Sequence, residues 1–328
     1  MTLFIAPAII SVAALSAVWW WGGFGAFFIA VTLVILEVTL SFDNAVVNAK
    51  VLEEMTPQWQ RRFLTWGILL SVFGTRLVLP ILIVSAVALV SPFVITALAF
   101  SDPATYSGML AEAETTIKAF GGAFLLMVSL KYFFNVGKKV HWFAPIERHL
   151  VRWGRVEAIE IALALSTLLA ISYLSPDPAA TILTAGLIGI IIFTLTEGVA
   201  HALNVESTSI VRPGLILFIY LNVLDSAFSL DGVIGAFAIT TALPIIVVGL
   251  GIGAYFVRSM TVYLVRKKTL AGLPYLEHGA HWAVFGLALA MLVGLIVHIP
   301  EVAIATIGLA FISLAYVSSR RAVREQMF

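Results

Sequence analysis

The chain has 328 residues, 61% of them hydrophobic and 11% charged, with a mean hydropathy of +1.05, which excludes an ordinary water-soluble domain of this length. A net charge of +1 and the lack of any Lys/Arg run interleaved with aromatics exclude an electrostatic footprint for nucleic acid. The absence of cysteine excludes a disulfide framework, a thiolate nucleophile and a thiolate metal site, so any metal must be held by oxygen or imidazole.

Apolar stretches near the ~20 residues needed to cross a bilayer fall at residues 5–21, 24–49, 63–90, 118–136, 156–174, 180–203, 213–238, 242–265, 280–299 and 301–318. The first has no basic segment before it and no small-residue cleavage site after it, so it reads as a retained helix. Pro92, Pro103 and Gly108 interrupt a moderately apolar stretch at 91–117, and Pro300 alone separates the last two spans. The expectation is an all-α membrane protein of about ten transmembrane helices in a single polytopic domain, 1–328.

Loop charge supports this count, because cytoplasmic loops are enriched in Lys and Arg. Lys50, Arg61 and Arg62 follow span two; Lys138, Lys139, Arg148, Arg152 and Arg155 follow span four; Arg212 follows span six. Arg266, Lys267 and Lys268 follow span eight, and Arg320, Arg321 and Arg324 follow span ten, whereas the alternate connections contain neither residue type. Both termini are therefore expected on the cytoplasmic side of a bacterial inner membrane, with the lipid bilayer as the chain's main partner.

Span two reads Glu37-Val-Thr-Leu-Ser-Phe-Asp43-Asn-Ala-Val, and span seven reads Asp225-Ser-Ala-Phe-Ser-Leu-Asp231-Gly-Val-Ile. The order acid, two residues, bulky apolar, Ser, bulky apolar, Asp thus occurs twice, an odd number of spans apart, so the copies cross in opposite directions. Inverted repeats of helix bundles are the common architecture of secondary transporters, which place substrate near the midplane where the repeats meet. The repeats are expected at 24–136 and 213–299, with linking helices at 156–203 and a last helix and tail at 300–328.

Glu37, Asp43, Asp225 and Asp231 all lie at membrane depth, where an ionised, unpartnered acid costs about 2.5–3.5 kcal/mol. Protonation, a bound cation or a basic partner must offset that cost. The plainer alternative is a set of fixed buried salt bridges, for which Arg76 and Lys131 are the intramembrane bases this reading identifies. Asp43-Asn44 and Asp231-Gly232 are poor helix formers, and a break there exposes carbonyls that, with Asp43, Asn44, Asp231 and the hydroxyls of Ser41 and Ser229, make an all-oxygen shell suited to Mn²⁺, Mg²⁺ or Ca²⁺. For either serine alone, bonding back to the helix carbonyls is the simpler reading. Two further clusters, Glu197 with His201 one turn on and Glu277-His278-Gly-Ala-His281, suit a secondary or entrance site, or plain helix polarity.

With Glu37, Leu-Ser-Phe-Asp43-Asn44, Asp225 with Phe-Ser-Leu-Asp231, Gly121-Gly122 and Lys131 in view, the chain resembles the TerC-like family of membrane proteins over residues 25–298. It is most similar to the longer bacterial branch of unknown function, whose likeness extends to Glu277-His278-Gly-Ala-His281. Members are associated with Mn²⁺ efflux and tellurium-resistance operons, and the family is distantly similar to the lysine-exporter superfamily with its inverted three-helix repeats. The resemblance implies a manganese exporter using Glu37, Asp43, Asn44, Asp225 and Asp231. The second motif departs from the family pattern, with Ser229 in place of Ala and Gly232 in place of Ser.

The expected function is secondary transport of a divalent cation, Mn²⁺ first, with protons as coupling ion and no enzymatic activity. The alternatives are an intramembrane protease, for which membrane aspartates sharing a proton are needed but no Gly-x-Gly-Asp or His-Glu-x-x-His is present, and a non-transporting assembly factor in metal or tellurium stress.

Overall fold

The structure, a computed structural model, describes residues 2–205 and 213–325. Among them every regular element is a helix: α1 (Ile5–Leu40), α2 (Phe42–Glu53), α3 (Pro57–Leu69), a π-helical segment (Leu70–Val78), α4 (Leu79–Ala88), α5 (Pro92–Ser101), α6 (Pro103–Glu112), α7 (Glu114–Phe133), α8 (Ala144–Trp153), α9 (Ile159–Leu174), α10 (Ala179–Val205), α11 (Pro213–Ile239), α12 (Leu243–Arg266), α13 (Thr269–Gly272), α14 (Leu276–Val293) and α15 (Glu301–Glu325). Eight helices among the described residues are long and apolar enough to cross a membrane, rather than the ten expected. Two expected spans lie within α1, and the stretch at 156–174 contributes only the 16 residues of α9, a length of ~24 Å.

The interior of α1 accounts for one of the missing crossings. Gly23 has φ 70° and ψ −168°, outside the helical region, a conformation that glycine adopts without a Cβ penalty. Beyond it, Leu33 packs on Gly249 and Glu37 on Gly253, so this half of α1 runs parallel to α12. A straight helix would then carry Phe4 ~43 Å from Leu33, past the Leu243 end of α12. Instead the Phe4 ring lies 5.9 Å from that of Tyr263, near the Arg266 end. The chain therefore reverses at Gly23, and α1 is a helical hairpin whose arms, residues 5–22 and 24–40, match the first two expected spans.

Small residues set how closely the motif helices approach. A Cβ on Gly249 would lie 2.6 Å from Leu33 Cβ, and one on Gly253 would lie 2.5 Å from Glu37 Cγ. This Gly-x-x-x-Gly pair lets α1 backbone settle against α12. Gly121 and Gly122 serve the central helix α7 likewise, facing Met291 and Leu292 of α14. Around α7 gather α2, α10 and α14 in the largest apolar cluster, while a second cluster joins α1, α4 to α6, α11 and α12 at the opposite end. The stretch at 91–117 forms two ten-residue helices, each begun by a proline whose fixed φ suits the first turn.

The ends of α2, α7, α9, α10 and α14 surround one cavity of about 640 Å³ at the Lys/Arg-rich end of the bundle, with Lys50, Lys131, Glu160, Glu197 and Glu277 in its wall. Helix ends that loop charge assigns to one side of the membrane therefore share one face.

Candidate functional site

The first motif helix breaks at Ser41 (φ −100°, ψ 13°), two residues before the expected Asp43-Asn44 break. The Ser41 hydroxyl donates to Glu37 Oε1 at 2.9 Å rather than to a helix carbonyl. The break starts α2, placing Asp43 in its first turn, where the helix dipole favours an anion. The second expected break does not form: Asp231 and Gly232 lie within continuous α11, because that segment is packed on both sides and propensity alone does not open it.

Since α12 follows α11 after a short turn and the second arm of α1 runs parallel to α12, the motif helices of α1–α2 and α11 cross antiparallel. Their contacts are reciprocal. Asn44, which follows the first motif's Asp43, donates through Nδ2 to Asp225 Oδ1 at 2.9 Å. Its counterpart Gly232 faces Glu37, the counterpart of Asp225, and a Cβ there would lie 3.4 Å from Glu37 Oε2. Each copy's acid thus meets the residue after the other copy's Asp.

Each of these two acids is held by an arginine of the segment that follows it. Arg76 donates to Glu37 at 2.5 Å and Arg258 to Asp225 at 2.8 Å, with all four side chains buried. Ser71 links the halves: its hydroxyl donates to Asp225 Oδ2 at 2.8 Å, and Arg76 Nη1 donates to its carbonyl at 2.8 Å. That carbonyl lies in the π-helical segment, whose i→i+5 geometry departs from the α-helical ladder. Arg258 also reaches Asn222 Oδ1 (3.3 Å) and the Phe63 carbonyl (3.4 Å), and lies over the Phe63 ring at 4.3 Å. Gly67 makes this seat possible, because a Cβ there would collide with the guanidinium. Asn48 extends the network by donating to Asn44 Oδ1 at 2.7 Å.

The expected convergence of four carboxylates is not what the structure shows. Glu37, Asn44 and Asp225 are in one network, with Ser41 and Arg76. Asp43 is buried, accepts the Asn44 backbone N–H at 2.8 Å and lines a small cavity against Ala283 and Leu287 of α14 and Ile304 of α15. Asp231 is buried with Lys118 and Glu114 as its charged neighbours. Helical geometry explains the split: Asp43 and Asn44 are adjacent, so their side chains are ~100° apart around the axis, and only one of them faces α11. Ser229 is buried on α11 but is no partner of either arginine-bound acid. Among the described residues no three acidic or imidazole side chains gather as a metal-binding group.

The other expected residues lie at the basic end. Lys131 is not a partner of a motif acid; half exposed in the cavity wall, it pairs with Glu160 (3.5 Å) and Glu197 (3.3 Å). The side chain of His201 lies outside the described residues. Glu277 faces Lys50 at 3.8 Å, and His281 bonds the Glu277 carbonyl and stacks on Tyr132 at 3.6 Å. His278 is bonded to Glu147, a fully buried carboxylate of α8 that sequence reasoning passes over. Trp282 Nε1 (3.1 Å), Lys138 Nζ (3.3 Å) and the Trp142 backbone N–H (3.2 Å) also point at Glu147. Burial opposes its ionisation, but the hydrogen bond and charge of His278 and the charge of Lys138 outweigh this and hold the carboxyl down at about 2.

Arg258 is the residue of this network that the sequence reading misses. It stands in the middle of span eight, 33 residues after Asp225, much as Arg76 stands 39 residues after Glu37. Extending the repeat by one helix reveals it. No curated protein and no solved structure matches this chain. The chain belongs to the family described as a protein of unknown function (DUF475), which matches residues 42–326.

Proposed function

We propose that this protein carries a divalent cation, Mn²⁺ first, across the membrane through a midplane site built from Glu37, Asp225 and Asn44, with the hydroxyls of Ser41 and Ser71 beside them. The observation that carries the reading is the reciprocal meeting of the two motif helices, which brings two carboxylates and their hydrogen-bonding neighbours together at membrane depth. Burying charge there costs several kcal/mol per ion. An inverted repeat of lysine-exporter type supplies the architecture for alternating access. Oxygen donors from carboxylates, an amide and hydroxyls suit a hard divalent ion. Asp43 and Asp231, which lack an arginine, are the acids through which exchange against protons would run. The resemblance to the TerC-like family points the same way. The guanidiniums on Glu37 and Asp225 favour this reading over the intramembrane-protease alternative, which needs two carboxylates that share a proton.

The test is ion flux into proteoliposomes with Mn²⁺, Ca²⁺, Mg²⁺, Zn²⁺ and Fe²⁺ run in parallel. Saturable flux of Mn²⁺, abolished by Glu37→Gln and by Asp225→Asn, is the expected result. Absence of flux for all five ions would overturn the reading.

A further inference from the structure

The arginines occupy the carboxylate positions a substrate cation needs. We propose that Arg76 and Arg258 are displaceable counter-charges: each guanidinium neutralises its carboxylate in the cation-free protein and gives it up when a divalent cation binds. The inference rests on the cation-carrying reading above and assigns to these two residues a part that the resemblance does not.

Three observations support it. First, the pairs are repeated, one in each motif copy, so the empty site is electrically neutral with two carboxylates and two guanidiniums. A divalent cation bound between the carboxylates with both guanidiniums still in contact would face two like charges at close range in a low-dielectric interior, which is strongly unfavourable. Second, each arginine has a seat that does not depend on the carboxylate. Arg76 holds the Ser71 carbonyl and hydroxyl, and Arg258 holds the Phe63 carbonyl, Asn222 and the face of the Phe63 ring. Third, the Nε of both arginines is buried without a hydrogen-bond partner. An unmet buried donor is costly, so neither guanidinium is fully satisfied where it sits.

The account requires a sign that a structural salt bridge would not produce. Removing the tethered charge should make the site bind metal more tightly, since the cation no longer competes with it, and should slow its release. Mn²⁺ affinity and Mn²⁺ flux are measured on the full chain in proteoliposomes for the wild type, Arg76→Gln, Arg258→Gln and the charge-conserving Arg76→Lys and Arg258→Lys. Each Gln variant is expected to bind Mn²⁺ about tenfold or more tightly, the effect of deleting one adjacent charge, with reduced flux. Each Lys variant should bind within a few-fold of wild type. Gln variants that bind no tighter than wild type overturn the proposal. So does failure of both Gln variants to insert while the Lys variants insert, which makes the charge a structural requirement. A wild type that binds no divalent cation defeats the transport reading itself, a different outcome from wild-type binding with unchanged Gln variants.

Discussion

Two buried carboxylate centres in this molecule are built on opposite principles. Glu147, at the basic end, receives donors from His278, Trp282 and the Trp142 backbone, with Lys138 also close by, all from elements next to it or packed over it. Glu37 and Asp225, at membrane depth, are each held by one arginine that has other partners, and they meet across helices that are far apart in sequence. The first is a clasp in which α14 and the segment leading into α8 aim several donors at one carboxylate. The second is balanced in charge, each acid paired with a guanidinium, and it is also hydrogen-bonded: Asp225 accepts from Ser71 and Asn44, and Glu37 from Ser41. Burial alone does not distinguish these two centres; the chemistry of their partners does, a guanidinium for each motif acid and histidine, tryptophan and backbone donors for Glu147.

The comparison breaks most sharply at single-partner removals. Asp225→Asn leaves Arg258 buried without its counter-ion and should lower stability by about 3–5 kcal/mol, whereas the double variant Asp225→Asn with Arg258→Met should recover most of that loss. Thermal unfolding in detergent reads both, and a double variant as unstable as the single would contradict the pairing. Glu147→Gln should cost about 3 kcal/mol at neutral pH, and the cost should depend on pH. Because the folded carboxyl is held near 2, below its unfolded value, its contribution is full above about pH 4.5 and fades as pH falls toward 2. The gap in melting temperature between wild type and Glu147→Gln should therefore narrow on acidification; a constant gap would count against an ionised clasp.

Gly253→Ala sharpens the comparison by moving a functional acid without touching its charge. The added methyl meets Glu37 Cγ, and overpacking of this kind costs about 1–3 kcal/mol; Mn²⁺ transport should fall by more than the stability change accounts for. The smallest effect is expected at Lys131→Ala, since its half-exposed pairs with Glu160 and Glu197 are worth about 0–1 kcal/mol. An unfolding shift as large as that of Glu147→Gln would show that the cavity wall is a clasp as well.

Much of the architecture was legible because the bilayer imposes it. Span positions follow from apolar length. The antiparallel crossing of the motif helices follows from the odd number of spans between the copies. What escaped depends on contacts between distant segments. The separation of Asp43 from the Glu37–Asp225 network depends on which of two adjacent residues faces α11. Glu147 lies in what reads as a charged cytoplasmic loop, and only the docking of α8 against α14 buries it. Arg258 was within reach, since the repeat that pairs Glu37 with Asp225 also pairs Arg76 with it.

The most direct test of the central claim is the number of Mn²⁺ ions bound per chain in the reconstituted protein, measured by electron paramagnetic resonance for the wild type, Glu37→Gln and Asp225→Asn. The account expects one high-affinity Mn²⁺ per chain, lost in either variant because both acids form the same site. A wild-type stoichiometry retained in both variants would contradict it.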